Sequence, residues 1–253
     1  MLPIFKSHFS IGKSILTLDP PSDSSDKADS VFSLAQDAGL KEVVLVEDSF
    51  MGFLQGQKVA TDLGLRFIFG LRVSIIDEDA NLDDKKIPTH KIIVFAKNSE
   101  GCKNLFKIYS ESKSNNQESI TLTNLKPLWD SENLDMVIPF YDSFLFCNLF
   151  LFNSFVVDLS YFDPKFFIET NDLPYDSLLK TSVKNYCSKN NYETLDTKSI
   201  YYNKREDFDA YITYKLICSR NTFSSNKSSL EKPNFDHMGS REFCLESYME
   251  LTQ

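Results

Sequence analysis

The stretch LVEDSFMGFLQGQKVATDLGLRFIFGLRV, Leu45 to Val73, is followed after a polar insert by HKIIVFAKNSEGCKNLFKIYS, His90 to Ser110. Gly52 marks a turn, Gly64 a helix end and Gly70 a strand end. LQGQKVATDL is amphipathic and stops at Gly64, where a helix C-terminus takes a residue free to adopt left-handed geometry. RFIFGLRVSII has too few polar residues for a half-exposed edge and predicts one or two buried strands. HKIIVFAKN predicts another strand, and EGCKNLFKIYSES a helix.

Working outward, EVVLVED (Glu42 to Asp48) reads as a strand, preceded by a helix over Ala28–Ala38 that stops at Gly39. Downstream, MVIPF, VVDLS, FFIET and SIYY read as strands. LLKTSVKNYCSKN and DFDAYITYKLICSR read as helices. Alternating helices and nearly continuous apolar strands predict a parallel sheet covered by helices. No GxGxxG or GxxxxGK phosphate loop follows the first strand, so a closed barrel is preferred to an open doubly wound sheet. Three polar stretches, Asp19 to Ser30, Ser110 to Ser119 and Arg220 to Pro233, read as loops.

The chain has 253 residues, 42% of them hydrophobic, enough to bury a full core as one large α/β domain or two small ones. Its 27 basic and 36 acidic residues give a net charge of −9, and the basic ones are scattered. Binding nucleic acid through its phosphates needs clustered Lys and Arg, so no direct DNA binding is expected. Cys102, Cys147, Cys187, Cys218 and Cys244 lie far apart without a CxxC pair. They read as buried small hydrophobes in a reducing compartment, not as disulfides or a zinc site. The N-terminus lacks a signal-peptide layout. FLFCNLFLFNSFVVDL, Phe144 to Leu159, is interrupted by Asn148 and Asn153 and is shorter than the ~20 apolar residues of a membrane span. A buried helix followed by a strand, in a soluble cytoplasmic protein with no membrane partner, is the expectation.

Chemistry is sparse. Only three histidines occur, His8, His90 and His237, few for a hydrolytic two-metal site that draws imidazole and carboxylate ligands from several strand ends. His8 follows the first apolar stretch, Asp48 ends a strand and His90 begins one. GxSxG is absent. Asp77, Glu78, Asp79, Asp83 and Asp84 form an acidic cluster without the spacing of a calcium loop, diluted by Lys85 and Lys86. It reads as a solvated loop.

Taken in order, EDSFMGF, the Gly52-to-Gly64 helix, GLRFIFG, HKIIVFAKNSEGCKNLFKIYS, LTNLKPLW before MVIPF, and SIYYNKREDFDAYITYKLI resemble the PHP domain (polymerase and histidinol phosphatase). The form resembled is that at the N-terminus of C-family replicative polymerases, the DNA polymerase III alpha subunit. The tail HMGSREFCLESYMEL resembles the segment that leads from that barrel toward the polymerase palm. The resemblance implies a distorted (β/α)7 barrel over residues 1–220 and a C-terminal extension over residues 221–253. The family holds metals at the C-terminal ends of its strands.

Carried over residue by residue, the family's opening HxH falls on Lys6 and His8, and its Asp-His on Asp48 and Ser49. The glutamate falls on Arg72, the next histidine on His90, the Gly-Cys near Phe140 and Tyr141, and the late Asp-x-His on Ser199 and Tyr201. The remnant metal ligands are thus His8, Asp48 and His90. Lys, Arg and Tyr cannot replace the lost ligands without dismantling the coordination shell. The resemblance therefore implies no catalysis and no cofactor, with zinc or manganese the candidates if the remnant site still binds. The implied role is a scaffold in DNA replication, with a replicative polymerase subunit or palm-containing chain and a proofreading exonuclease as partners. The chain ends where the palm would start, which suits half of a split polymerase or a stand-alone domain. The alternative is a metal-dependent phosphoesterase or 3'-5' exonuclease with a reduced site, its three ligands completed by Glu47 or His237.

Overall fold

Local signals start and stop the helices where the side chains demand it. The Ser30 hydroxyl accepts the Phe32 N–H and starts α1 (Val31–Asp37), three residues later than the apolar pattern suggests. A side chain at Gly52 would collide with Phe9 and Leu18, so only glycine lets the chain turn there into α2 (Phe53–Asp62). Gly64, at φ +67, ends the next turn. Asn98 caps α3 (Ser99–Ser112) through the Gly101 N–H. The computed structural model describes residues 1–21, 28–80, 87–114, 117–218 and 239–252.

Seven strands close a barrel in chain order. They are β1 (Leu2–Phe5), β2 (Glu42–Glu47), β3 (Arg66–Ile75), β4 (His90–Ala96), β5 (Leu134–Ile138), β6 (Lys165–Ile168) and β7 (Thr194–Ile200). Among the described residues the remaining α-helices are α4 (Leu122–Leu125), α5 (Phe144–Phe150), α6 (Asp176–Asn190), α7 (Phe208–Cys218) and α8 (Leu245–Thr252). The α/β barrel expected from the sequence is the observed fold.

Four sequence expectations need correction. The barrel is not wholly parallel, because β4 runs antiparallel to both β3 and β5. Antiparallel neighbours need no helical crossover, and no helix separates β3 from β4 among the described residues. Gly70 does not end a strand but lies inside β3, where a Cβ would strike the Phe95 ring on β4. VVDLS forms no strand: the Asn148 carboxamide bonds both the N–H and the C=O of Phe155, so a side chain supplies the partner a strand would need. SIYY ends in Tyr201 and Tyr202 beyond β7, which starts at the more polar Thr194.

The chain divides into two compact units. The first comprises Met1–Phe69, Glu169–Asp176 and Thr197–Gln253, and its core includes Phe5, Leu16, Phe32, Leu45, Tyr211 and Phe243. Tyr201 stacks on Phe243, with ring centroids 5.4 Å apart and planes 5° apart, so residues after 239 belong to this unit. The second comprises Gly70–Ile168 and Ser177–Asp196, with Leu71, Ile92, Val94, Phe140 and Phe166 in its core.

All five cysteines are unpaired. Cys147, Cys187 and Cys244 are buried, whereas Cys102 and Cys218 are half-buried. Among the described residues, no helix is long and apolar enough to cross a membrane. The loop expected at 220–233, together with Asp83, Asp84, Lys85, Lys86 and His237, lies outside the described residues.

Candidate functional site

In the first unit the strand ends carry charges that are buried and paired. Lys6 follows β1 and is 3% exposed. Its Nζ donates to the Val46 carbonyl at 3.1 Å and lies 3.9 Å from the Asp48 carboxylate. Glu47, the last residue of β2, is fully buried. Its Oε1 accepts the Ser7 N–H at 2.7 Å, and its Oε2 accepts the Ser10 hydroxyl. Ser10 Oγ in turn accepts the Asp48 N–H at 3.1 Å. Burial pushes the Glu47 carboxyl above its usual range, and the field of Lys6 and the serine hydrogen bonds pull it back.

A second cluster in the same unit repeats this chemistry. Glu169, the residue after β6, is buried; its Oε1 accepts the Ser199 hydroxyl at 2.8 Å. Its Oε2 accepts the Ser199 N–H at 3.1 Å and the Asn171 amide at 2.9 Å. Lys198, 1% exposed, donates to the Thr170 carbonyl at 3.1 Å. Burial raises the pKa of Glu169 and lowers that of Lys198, and each opposes the other's shift. Asp176 anchors the adjoining turn by accepting the Asn171 and Leu173 N–H groups at 2.7 and 3.2 Å.

The three residues expected as remnant ligands fall in different settings. His8 is half-buried, with Nδ1 3.2 Å from the Leu16 carbonyl and its ring 4.3 Å from that of Phe9. Asp48 is the carboxylate beside Lys6. His90, in the second unit, is 1% exposed and packs edge-on against Phe144 and Phe155 at 5.8 and 4.9 Å. Its Nδ1 makes no hydrogen bond of ordinary geometry, and burial lowers its pKa to about 4. Also in the second unit, the Arg72 guanidinium pairs with Asp142 at 3.0 Å. Ser199 and Tyr201, where the late Asp-x-His falls, contribute to the Glu169 cluster and to the aromatic stack on Phe243.

These residues do not fit a metal ion. Asp48 lies 3.9 Å from the Lys6 ammonium, both oxygens of Glu47 are taken by serine donors, and His8 Nδ1 faces a carbonyl. Among the described residues, no group of three or more His, Cys, Asp or Glu is placed to hold a metal. Chemically, the clusters hold buried carboxylates neutral or ion-paired and fix backbone. Sequence reading missed Glu169, Lys198, Ser7, Ser10 and Asp142. A signal was present: VVLVE and KFFIE both end apolar runs in glutamate, and FKS and TKS both place Lys-Ser in or just past a strand.

The PHP domain family matches residues 21–138, from ahead of α1 through β5. That span contains Asp48, Arg72 and His90, but neither Lys6 nor the Glu169 cluster. No curated protein matches the chain. Among solved structures, one similar chain is a proposed metal-dependent phosphoesterase from Bifidobacterium adolescentis, 14% identical with a TM-score of 0.24. The match covers 44% of this chain and only 34% of that one.

Proposed function

We propose that this chain is a PHP-like barrel of the DNA polymerase III alpha type. It acts in DNA replication as a non-catalytic scaffold for the polymerase, for a proofreading exonuclease, or for both. The observation that carries this reading is the fate of two ligand positions. Lys6 and Arg72 stand where the resemblance puts a histidine and a glutamate, and each is neutralised by a carboxylate, Asp48 or Asp142. An ion pair of this kind satisfies the buried charge and leaves no donor set for a catalytic cation. The PHP family match over residues 21–138 supports the frame.

The test joins elemental analysis, a phosphodiesterase assay with added Mn²⁺ or Zn²⁺, and affinity capture from native lysate. The expected result is sub-stoichiometric metal, no hydrolysis, and recovery of a palm-containing polymerase chain or a 3'-5' exonuclease. Stoichiometric metal with hydrolysis abolished by His90→Ala would establish the phosphoesterase instead. Capture of neither partner would overturn the replication role.

A further inference from the structure

Two Lys-Ser dipeptides, Lys6-Ser7 and Lys198-Ser199, belong to neighbouring strands. β1 and β7 pair in parallel from Leu2↔Thr197 to Phe5↔Ile200, and the Lys6 N–H extends the ladder to the Ile200 carbonyl at 3.3 Å. Each dipeptide serves a different buried glutamate, Glu47 of β2 or Glu169 after β6. In both, the serine N–H donates to one carboxylate oxygen. In both, a serine hydroxyl, from Ser10 or Ser199, donates to the other oxygen. In both, the lysine Nζ donates at 3.1 Å to a carbonyl adjoining the glutamate in sequence, Val46 or Thr170. The same arrangement is thus built twice from segments far apart in the chain.

Isolated, any of these four charges would be expelled from the interior or neutralised. Each lysine lies in the field of its glutamate, and Lys6 also pairs with the Asp48 carboxylate at 3.9 Å. A divalent ion at strand ends has two structural effects: it neutralises buried carboxylates and pins the backbone that carries them. Here an ammonium on a covalent tether does both. We propose that Lys6 and Lys198 are resident cations that take over the structural work of a bound metal, so that the fold neither requires nor gains from a divalent ion. This claim concerns the chain's own residues and is independent of the partner the barrel serves.

The experiment uses the full chain and thermal unfolding. A divalent ion bound with micromolar affinity would, at millimolar concentration, raise the melting temperature by roughly 8–16 °C. The expected shift on adding Mn²⁺ or Zn²⁺, or on chelation, is none. Lys6→Met and Lys198→Met each lower the midpoint by roughly 6–20 °C, because each leaves a buried carboxylate without its counter-charge. Adding Glu47→Gln to Lys6→Met recovers at least half of the loss, whereas adding Glu169→Gln to Lys6→Met recovers nothing. If Lys6→Met does not fold alone, the Lys6→Met/Glu47→Gln double variant still reports the pairing by folding. A midpoint that rises with metal or falls with chelator, lysine variants as stable as wild type, or failure of Glu47→Gln to rescue would each overturn the proposal.

Discussion

Replacing Glu169 by glutamine tests the buried cluster through its pH dependence. Gln keeps the shape of Glu and can satisfy every partner: its oxygen accepts from Ser199 N–H and Asn171, and its amide donates to Ser199 Oγ, reversing the bond now made at 2.8 Å. What it removes is a titration, and with it the negative charge that opposes the effect of burial on Lys198. Burial raises the Glu169 pKa above the ordinary 4.5, so in that window the folded chain binds more protons than the unfolded one. Wild-type stability therefore falls as pH rises from 4.5 toward the folded value, by up to about 1.4 kcal/mol per pH unit. Glu47 titrates in the same sense but is common to both proteins and cancels in the difference. Urea unfolding at stepped pH should show Glu169→Gln gaining on wild type from pH 4.5 upward. Glu169→Ala, by contrast, leaves buried donors of Ser199 and Asn171 unsatisfied at about 1–3 kcal/mol each and is destabilised at every pH. A flat difference between Gln and wild type, or equal stability of the Gln and Ala variants, would refute the argument.

Arg72→Glu sets a second carboxylate against Asp142 in place of a 3.0 Å ion pair. It should destabilise by about 2–4 kcal/mol in denaturant titration, with no recovery in Mn²⁺. His90 has its pKa lowered to about 4, so the folded state binds fewer protons than the unfolded one below pH 6.5. Its stabilising contribution, complete above pH 6.5, is lost as pH falls toward 4, to an extent of roughly 3 kcal/mol; His90→Phe should flatten that limb of the stability profile. Gly101→Ala drives a methyl into the Asn133 carbonyl and should cost about 1–3 kcal/mol by calorimetry. Gly39→Ala meets no neighbour, so it should lose only the roughly 1–2 kcal/mol of its φ of +64.

How much of this was legible depends on whether a signal is local. Gly64 ends its helix by its own backbone freedom, and strand blocks such as EVVLVE are buried because they are apolar, so barrel and element order could be read directly. Strand direction could not. HKIIVFA shows the same apolar run whether it lies parallel or antiparallel to its neighbour, and β4 is inverted. The site was legible only as departures from the resembled ligand pattern. Arg72 looks like a charge hostile to a cation until Asp142, 70 residues on, is seen to neutralise it. Lysine is among the residues least often buried, so the sequence alone does not show that Lys6 and Lys198 are buried with their ammonium groups on the Val46 and Thr170 carbonyls. Each pair of lysine and glutamate spans at least 29 positions or more of sequence, as the Ser199 contact to Glu169 across 30 shows. On the proposal made above, the altered ligand positions and the Lys-Ser pairs follow from one substitution of charge. On that proposal, the strand ends of the first unit are organised around two ammonium groups that the chain itself supplies, Lys6 and Lys198.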